Sequence, residues 1–403
     1  MRFLLVPENN SLSHVAKCLA VRETLMERGH EALLAVSRRG AALLNRLKIP
    51  GELLPDIQGD GEVGFPNIHW FRRPQRLVDC IRAEADLIEH LRPDRVLGIF
   101  RFTLRAAARL AAVPCDSLLC GSMLPEMSEV LGFIGSEDGS DRQRVYLRTF
   151  FRYAAARMNS ALESLGQPPV EDIRQVLKGE RTFLWDFPYF QPLMAGSEVI
   201  YVGPLFWNRW PREASPPPLP PGNAPLAVLS FGTCVGSAAV ACRLIRILLA
   251  EGFRVLLAAG GQTALSASMP RNPRLTVCPF VPLEEVLPSA SLLVSHGGQM
   301  SLFEAIQHRV PVAVVPFQPE QAHNGVCLER LGCGRRLIGS IPFLGNPEVY
   351  VRALEKRSDQ ELRRVCRHLA TDEGIRTRLD RLRGAMSGYR GAAAVAELLE
   401  EAV

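Results

Sequence analysis

HGGQMSLFEAIQHRVPVAVVPFQPEQ, residues His296 to Gln321, sets a glycine turn, a helix, a buried strand and an acidic-amide pair in one short stretch. The apolar run Leu292-Leu293-Val294 just before it reads as a buried strand. His296-Gly297-Gly298 then removes side chains where the backbone must turn tightly or let something approach. A helix is expected from about Ser301, with Glu304 one turn into it. Helix N-termini present unpaired N–H groups and a partial positive charge, so a glycine turn between strand and helix is an anion site, most often for phosphate. The residues therefore suggest a nucleotide.

Outward from this stretch, strand and helix signals alternate along the whole chain. In the first half, strands are expected at Phe3–Val6, Ala32–Val36, Val96–Ile99 and Ser117–Cys120. Helices are expected at Ser13–Arg28, Pro74–Leu91, Thr103–Ala111 and Asp141–Leu165, with Gly29 where a helix C-cap belongs. Between Trp207 and Pro225 the run Ser215-Pro216-Pro217-Pro218, followed by Pro220-Pro221-Gly222, excludes both helix and sheet and reads as a linker. Beyond it the alternation restarts with strands Leu226–Phe231, Arg254–Ala259, Leu275–Cys278, Leu292–Ser295 and Val312–Val315. Such order implies parallel sheets covered by helices. The expected division is an N-terminal domain 1–206, a linker 207–224, a second domain 225–380 and a C-terminal helix 381–403 that packs back on the first domain. Ligands of open parallel sheets bind at the carboxyl ends of the strands, and the candidate motifs fall at those ends.

Composition narrows the class. The 403 residues exceed one typical domain, and 47% hydrophobic with 22% charged residues is ordinary for a globular chain. A formal net charge of +5 gives no case for nucleic acid. The ten cysteines show no C-x-x-C spacing and are read as free and buried. Phe3 to Val6 is too short for a signal-peptide core, and no uncharged run approaches a membrane span, so a cytoplasmic protein is expected. No G-x-x-x-x-G-K-[ST] occurs, and Gly232 to Ser237 does not form G-x-G-x-x-G.

Phe231-Gly232-Thr233, Phe280-Val281-Pro282, Ser295-His296-Gly297-Gly298, Glu304-Ala305, Val310-Pro311, Pro316 and Glu320-Gln321 together resemble the donor-binding half of GT-B nucleotide-sugar glycosyltransferases. Within these the pattern is most similar to the macrolide and plant secondary-metabolite family. Ser13-His14 and Arg28-Gly29-His30-Glu31 look like that family's opening strand, loop and helix, and Val202-Gly203-Pro204 resembles it more weakly. The resemblance implies a GT-B fold, two Rossmann-like domains facing a cleft.

It also implies roles. His296, Gly297, Gly298 and Ser301 would meet the donor diphosphate, with Gly232 and Thr233 on its other side. Glu304 would accept hydrogen bonds from the ribose diol, and Phe280 beside Val281 would stack on the base. Glu320 and Gln321 would bind the sugar, with Asn324 supporting phosphate or sugar. His14, in the first turn of its helix, would be the general base; the positive helix end disfavours its imidazolium form. The implied reaction is inverting transfer from a UDP- or TDP-sugar to a hydroxyl of a small acceptor. No metal or cofactor is implied, in keeping with the lack of an Asp-x-Asp. Each residue also has an ordinary reading alone: a strand-to-helix turn, a solvated Glu304, a core Phe280, a capping His14.

Three positions depart from the family pattern. Many relatives carry an Asp at the end of a middle strand that orients the base; the matching position holds Ile99, so no carboxylate is expected on His14. Leu283 and Met300 replace base-edge and turn residues common in plant relatives, which leaves UDP and TDP both open. On the acceptor side, Phe65 to Arg73 reads as an acceptor lid, a peripheral membrane contact or a partly packed loop, and Gly132 to Ser140 as a loop over the acceptor. A nucleotide-sugar epimerase and a degenerate homologue acting as a partner protein, the latter motivated by Ile99, stand as alternatives. The acceptor and the choice between monomer and homodimer stay open.

Overall fold

The apolar runs pair into two sheets, and all of the strand pairings in both are parallel. The computed structural model describes residues 1–8, 11–57, 68–127, 140–210, 219–232, 237–261, 266, 268–339 and 347–401. Thr233, Phe65 to Asn67, Gly132 to Gly139 and the proline run 211–218 lie outside the described residues.

The first sheet contains β1 (Arg2–Pro7), β2 (Glu31–Val36), β3 (Glu52–Leu53), β4 (Arg95–Ile99), β5 (Cys115–Leu119), β6 (Thr182–Leu184) and β7 (Ile200–Tyr201). Its order is β3-β2-β1-β4-β5-β6-β7. Phe3 to Val6 and the whole of β4 are buried, as central strands with covered faces must be. Helix Leu12–Glu27 follows β1; Ser11 caps it by accepting from Ser13 N–H, and Cys18, Val21 and Leu25 form its fully buried face. Gly29, at φ +86°, supplies the left-handed residue that ends it.

The second sheet contains β8 (Leu226–Ser230), β9 (Arg254–Ala258), β10 (Leu275–Cys278), β11 (Leu292–Ser295), β12 (Val312–Val314) and β13 (Gly334–Arg336), in the order β10-β9-β8-β11-β12-β13. Both sheets therefore reverse direction of growth once, between β1 and β4 and between β8 and β11. Such a switch point opens a crevice at the carboxyl ends of the two strands that flank it.

By contact density the chain divides into two units. One comprises Met1–Val130, Arg144–Trp207 and Gly388–Val403, and the other is built on Asn208–Ser387. The final helix Ala392–Glu400 belongs to the first unit, where Val395, Ala396 and Leu399 are fully buried. Its Glu400 accepts from Arg28 and lies 2.7 Å from His30 Nε2, which gives the Arg28-Gly29-His30 segment a structural task. None of the described cysteines is joined in a disulfide, and all but Cys242 are buried.

Trp70 and Phe71 bear on the three readings of the Phe65-to-Arg73 stretch. Both are buried, and Phe71 packs edge-on against Phe102 at 5.4 Å, so these two side chains follow the partly packed reading.

Candidate functional site

The register of the second sheet sets Ser295 beside Ser230, which brings the residues after β11 against those after β8. His296 lies in that notch with Nδ1 3.5 Å from the Ser230 carbonyl and from Ser295 Oγ. Two glycines make room for its ring. A Cβ on Gly298 would stand 2.5 Å from His296 Nε2, and one on Gly232, at φ +69°, would stand 3.1 Å from Cε1.

Gly297 is constrained differently. Its φ of +91° is one that side chains rarely adopt, and a Cβ there would meet the Gln321 carbonyl at 2.7 Å and Val314 Cγ1 at 2.8 Å. Ser295 Oγ accepts from Gly297 N–H at 3.2 Å, and Asn324 Nδ2 donates to the Gly297 carbonyl at 2.9 Å.

The helix after the turn runs Gln299–Gln307, two residues earlier than expected, and Gly298 provides no side-chain cap. Its first-turn N–H groups thus have no side chain of the cap residue over them. Ser301 and Glu304, three apart on this helix, share one partly exposed face. Phe280 is 42% exposed beyond β10 and meets the Trp210 ring at 5.6 Å, while Val281 is buried. β10 stands two strands from β8, roughly 10 Å at the usual spacing of parallel strands.

The structure also gives some candidates protein partners. Gln321 Oε1 accepts from Phe317 N–H at 2.9 Å, and Asn324 Nδ2 donates to Glu320 Oε1 at 2.6 Å. These side chains first hold the turn in shape. Trp210 was hidden from the sequence reading because it borders the proline-rich run; Ser230 was read only as a strand residue, and Ser295 was quoted in the motif without a role.

In the first unit β1 and β4 are neighbours, with Pro7 paired to Ile99 and Glu8 N–H donating to the Ile99 carbonyl at 2.8 Å. His14, third residue of helix Leu12–Glu27, sits over this junction. Its ring stacks on Phe100 at 5.2 Å with an interplanar angle of 23°, and lies 5.7 Å from Trp185. Its Nδ1 is 3.1 Å from Glu8 Oε2, and Glu8 is buried. The expectation that no carboxylate meets His14 is therefore wrong. Ile99 does end β4, but pairing of β4 with β1 lets the residue just past β1 supply the carboxylate instead.

Burial is the main reason why His14 is neutral, pulling its pKa to about 3; the Lys17 ammonium acts in the same direction, and a hydrogen bond to the Glu8 backbone opposes both. Burial rather than the helix end is thus the chief cause. Lys17 is itself buried, with Nζ 4.4 Å over the Trp185 ring. His296 is likewise held to about 4 by burial, with its hydrogen bond to the Ser230 carbonyl opposing.

These shifts have a sign. The unfolded chain takes up both protons near 6.5, whereas the folded chain resists them, so this stability is complete above about pH 6.5 and is lost as pH falls toward about 4. The expected slope is about 1.4 kcal/mol per pH unit for each ring. Urea midpoints across that range should fall for the native chain and fall less for His14→Gln and His296→Gln. Equal slopes in all three would show that the rings do not stay neutral in the fold.

Two parallel sheets of these orders, each with its own switch point, are the arrangement of the GT-B architecture. Comparison with known proteins agrees. Residues 242–338 match the glycosyltransferase family 28 C-terminal domain. The demethyllactenocin mycarosyltransferase of Streptomyces fradiae is 30% identical over 210 residues, 50% of this chain and 40% of that protein. The chain thus matches less than half the length of that curated relative. A PGL/p-HBAD biosynthesis glycosyltransferase of Mycobacterium tuberculosis is 24% identical over 92% of this chain and 88% of its own. In three dimensions the glycotransferase of kitacinnamycin superposes with a TM-score of 0.75 at 20% identity, covering 99% of this chain and 98% of the other. The Streptomyces sp. SF2575 glycosyltransferase SsfS6, complexed with thymidine diphosphate, gives 0.66 at 18% identity over 100% of both chains. The structural likenesses show the GT-B fold, and the sequence is similar to glycosyltransferases over part or most of its length. Among the described residues no helix is long and apolar enough to cross a membrane.

Proposed function

We propose that the chain transfers a sugar from a thymidine or uridine diphospho-sugar to a hydroxyl of a small acceptor, with inversion and without a metal ion. One observation carries the reading: a neutral histidine at the switch point of one sheet, and a glycine-lined turn leading into an uncapped helix at that of the other.

In the second unit the diphosphate takes the turn at His296, Gly297 and Gly298, where the first-turn N–H groups and Ser301 offset the charge that grows on the leaving group. Gly232 lines the other side, with Thr233 assigned there from sequence alone. Glu304 takes the ribose diol, and Phe280 stacks on the base. Glu320, the Nε2 amide group of Gln321 and Asn324 serve the sugar end. In the first unit His14 removes the proton of the acceptor hydroxyl, whose oxygen attacks the anomeric carbon as the bond to the diphosphate breaks. The natural-product and glycolipid pathways named for the matched relatives favour a hydrophobic hydroxylated acceptor. The reading of a degenerate partner protein rested on Ile99, and Glu8 removes that motive.

Isothermal titration with thymidine, uridine, adenosine and guanosine diphosphates tests the donor half. Binding of the thymidine or uridine compound is expected, the former first because SsfS6 holds it. Phe280→Ala should weaken that binding by about 1–3 kcal/mol, the usual worth of base–aromatic stacking. Silence with all four at millimolar concentration would refute the reading.

A further inference from the structure

We infer that Glu8 is the positioning residue of the base, holding His14 in the tautomer whose Nε2 is free to take a proton. The inference rests on the transferase reading for its catalytic meaning, though its geometry stands alone.

With Glu8 ionised its oxygens only accept, which puts the proton of a neutral imidazole 3.1 Å away on Nδ1 and leaves the Nε2 lone pair. Glu8 is well held for this task. Its N–H is fixed to the Ile99 carbonyl at 2.8 Å across the β1–β4 junction, and its side chain is only 2% exposed. The ring it serves is fixed on its faces by Phe100 and Trp185. Phe100 adopts φ +57°, an uncommon conformation for a non-glycine residue, and it follows directly on Ile99. At this junction β4 contributes an aromatic wall and β1 contributes the carboxylate.

The charges explain why a carboxylate is needed. His14 is surrounded by Glu8 at the end of β1, Lys17 one turn along its own helix, and the uncharged rings of Phe100 and Trp185. When Nε2 takes the acceptor proton, the acceptor oxygen bonds to the anomeric carbon and the carbon–diphosphate bond breaks, its electron pair leaving with the diphosphate. The imidazolium so formed lies in a buried place beside an ammonium. Glu8 is the group that offsets it, through the proton already on Nδ1.

Long-range proton–nitrogen NMR on nitrogen-labelled protein, with His14→Ala to assign the signal, reads the tautomer without any substrate. The native chain should show His14 protonated on Nδ1 alone. Glu8→Ala should lose that single tautomer, and Glu8→Gln should retain far-UV circular dichroism while losing transfer. With TDP-glucose as donor, kcat toward phenol should fall at least tenfold in both variants at unchanged donor KM. The loss should be smaller toward para-nitrophenol, which gives up its proton with less help. A native His14 protonated on Nε2 would overturn the inference, as would an unchanged tautomer in Glu8→Ala. If Glu8→Ala does not fold, the same spectrum of Glu8→Gln decides: a tautomer and a kcat both equal to native would overturn it. Failure to bind thymidine diphosphate with the expected tautomer present would instead refute the transferase reading and leave the Glu8–His14 pair standing.

Discussion

Replacing His14 with alanine should lower kcat by about 10²–10⁴-fold, the usual worth of a general base, with nucleoside diphosphate affinity unchanged. The separation follows from the architecture: His14 belongs to the first unit and the turn proposed for the diphosphate to the second, whose sheets share no strand. Because burial and Lys17 hold the ring to about 3, the pH profile of kcat/KM should show no acid limb near the ordinary histidine value of 6.5. Burial that keeps the ring neutral also makes it a weak base, and a hydrogen bond to the Glu8 backbone works against this. Steady-state rates for native chain and His14→Ala settle the point. An unchanged kcat would remove His14 from the mechanism, and a limb at 6.5 would show that the ring is more solvated than its packing implies.

Much of the fold was legible because central parallel strands are buried on both faces and read as continuous apolar runs. Leu226–Ser230 and Leu292–Ser295 are such runs, each fully buried. Strands of two or three residues at or near the sheet edges, such as Glu52–Leu53, Ile200–Tyr201 and Gly334–Arg336, have no pattern of their own and form only because a neighbour offers them a ladder. The turn at His296 to Gly298 was legible because glycine at a tight approach leaves a mark in the sequence. The carboxylate on His14 was not. Glu8 lies six residues before His14, on the far side of the strand-to-helix loop, and nothing in that spacing joins them. The link appears only once β1 is known to pair with β4, which sets Glu8 against Ile99 at the junction that His14 covers. The side chains of Gln321 and Asn324 show the same limit: their types suit a sugar, but their hydrogen bonds to Phe317 and Gly297 follow from the fold around them.

Gly297→Ala should destabilise the second unit by about 3 kcal/mol and weaken thymidine diphosphate binding at least tenfold. The first contribution is the backbone: φ +91° costs a residue with a Cβ roughly 1–2 kcal/mol. The second is contact. The new Cβ meets a carbonyl oxygen at 2.7 Å, and that oxygen belongs to Gln321 inside helix Pro319–Arg330, so it cannot swing aside as a side-chain end would. Relief must come from moving the turn, which pulls the Gly297 carbonyl from the buried Asn324 amide, at about 1–3 kcal/mol if that donor is left unsatisfied. Gly232→Ala is the internal comparison. Its φ of +69° carries a similar backbone cost, but its closest contacts are atoms of the His296 ring at 3.1 Å and 3.2 Å, a side chain that can yield. The order of effects should therefore be Gly297→Ala above Gly232→Ala in both urea midpoint and titrated affinity. A Gly297→Ala chain with native stability and native affinity would show that the turn neither needs its left-handed residue nor seats the diphosphate.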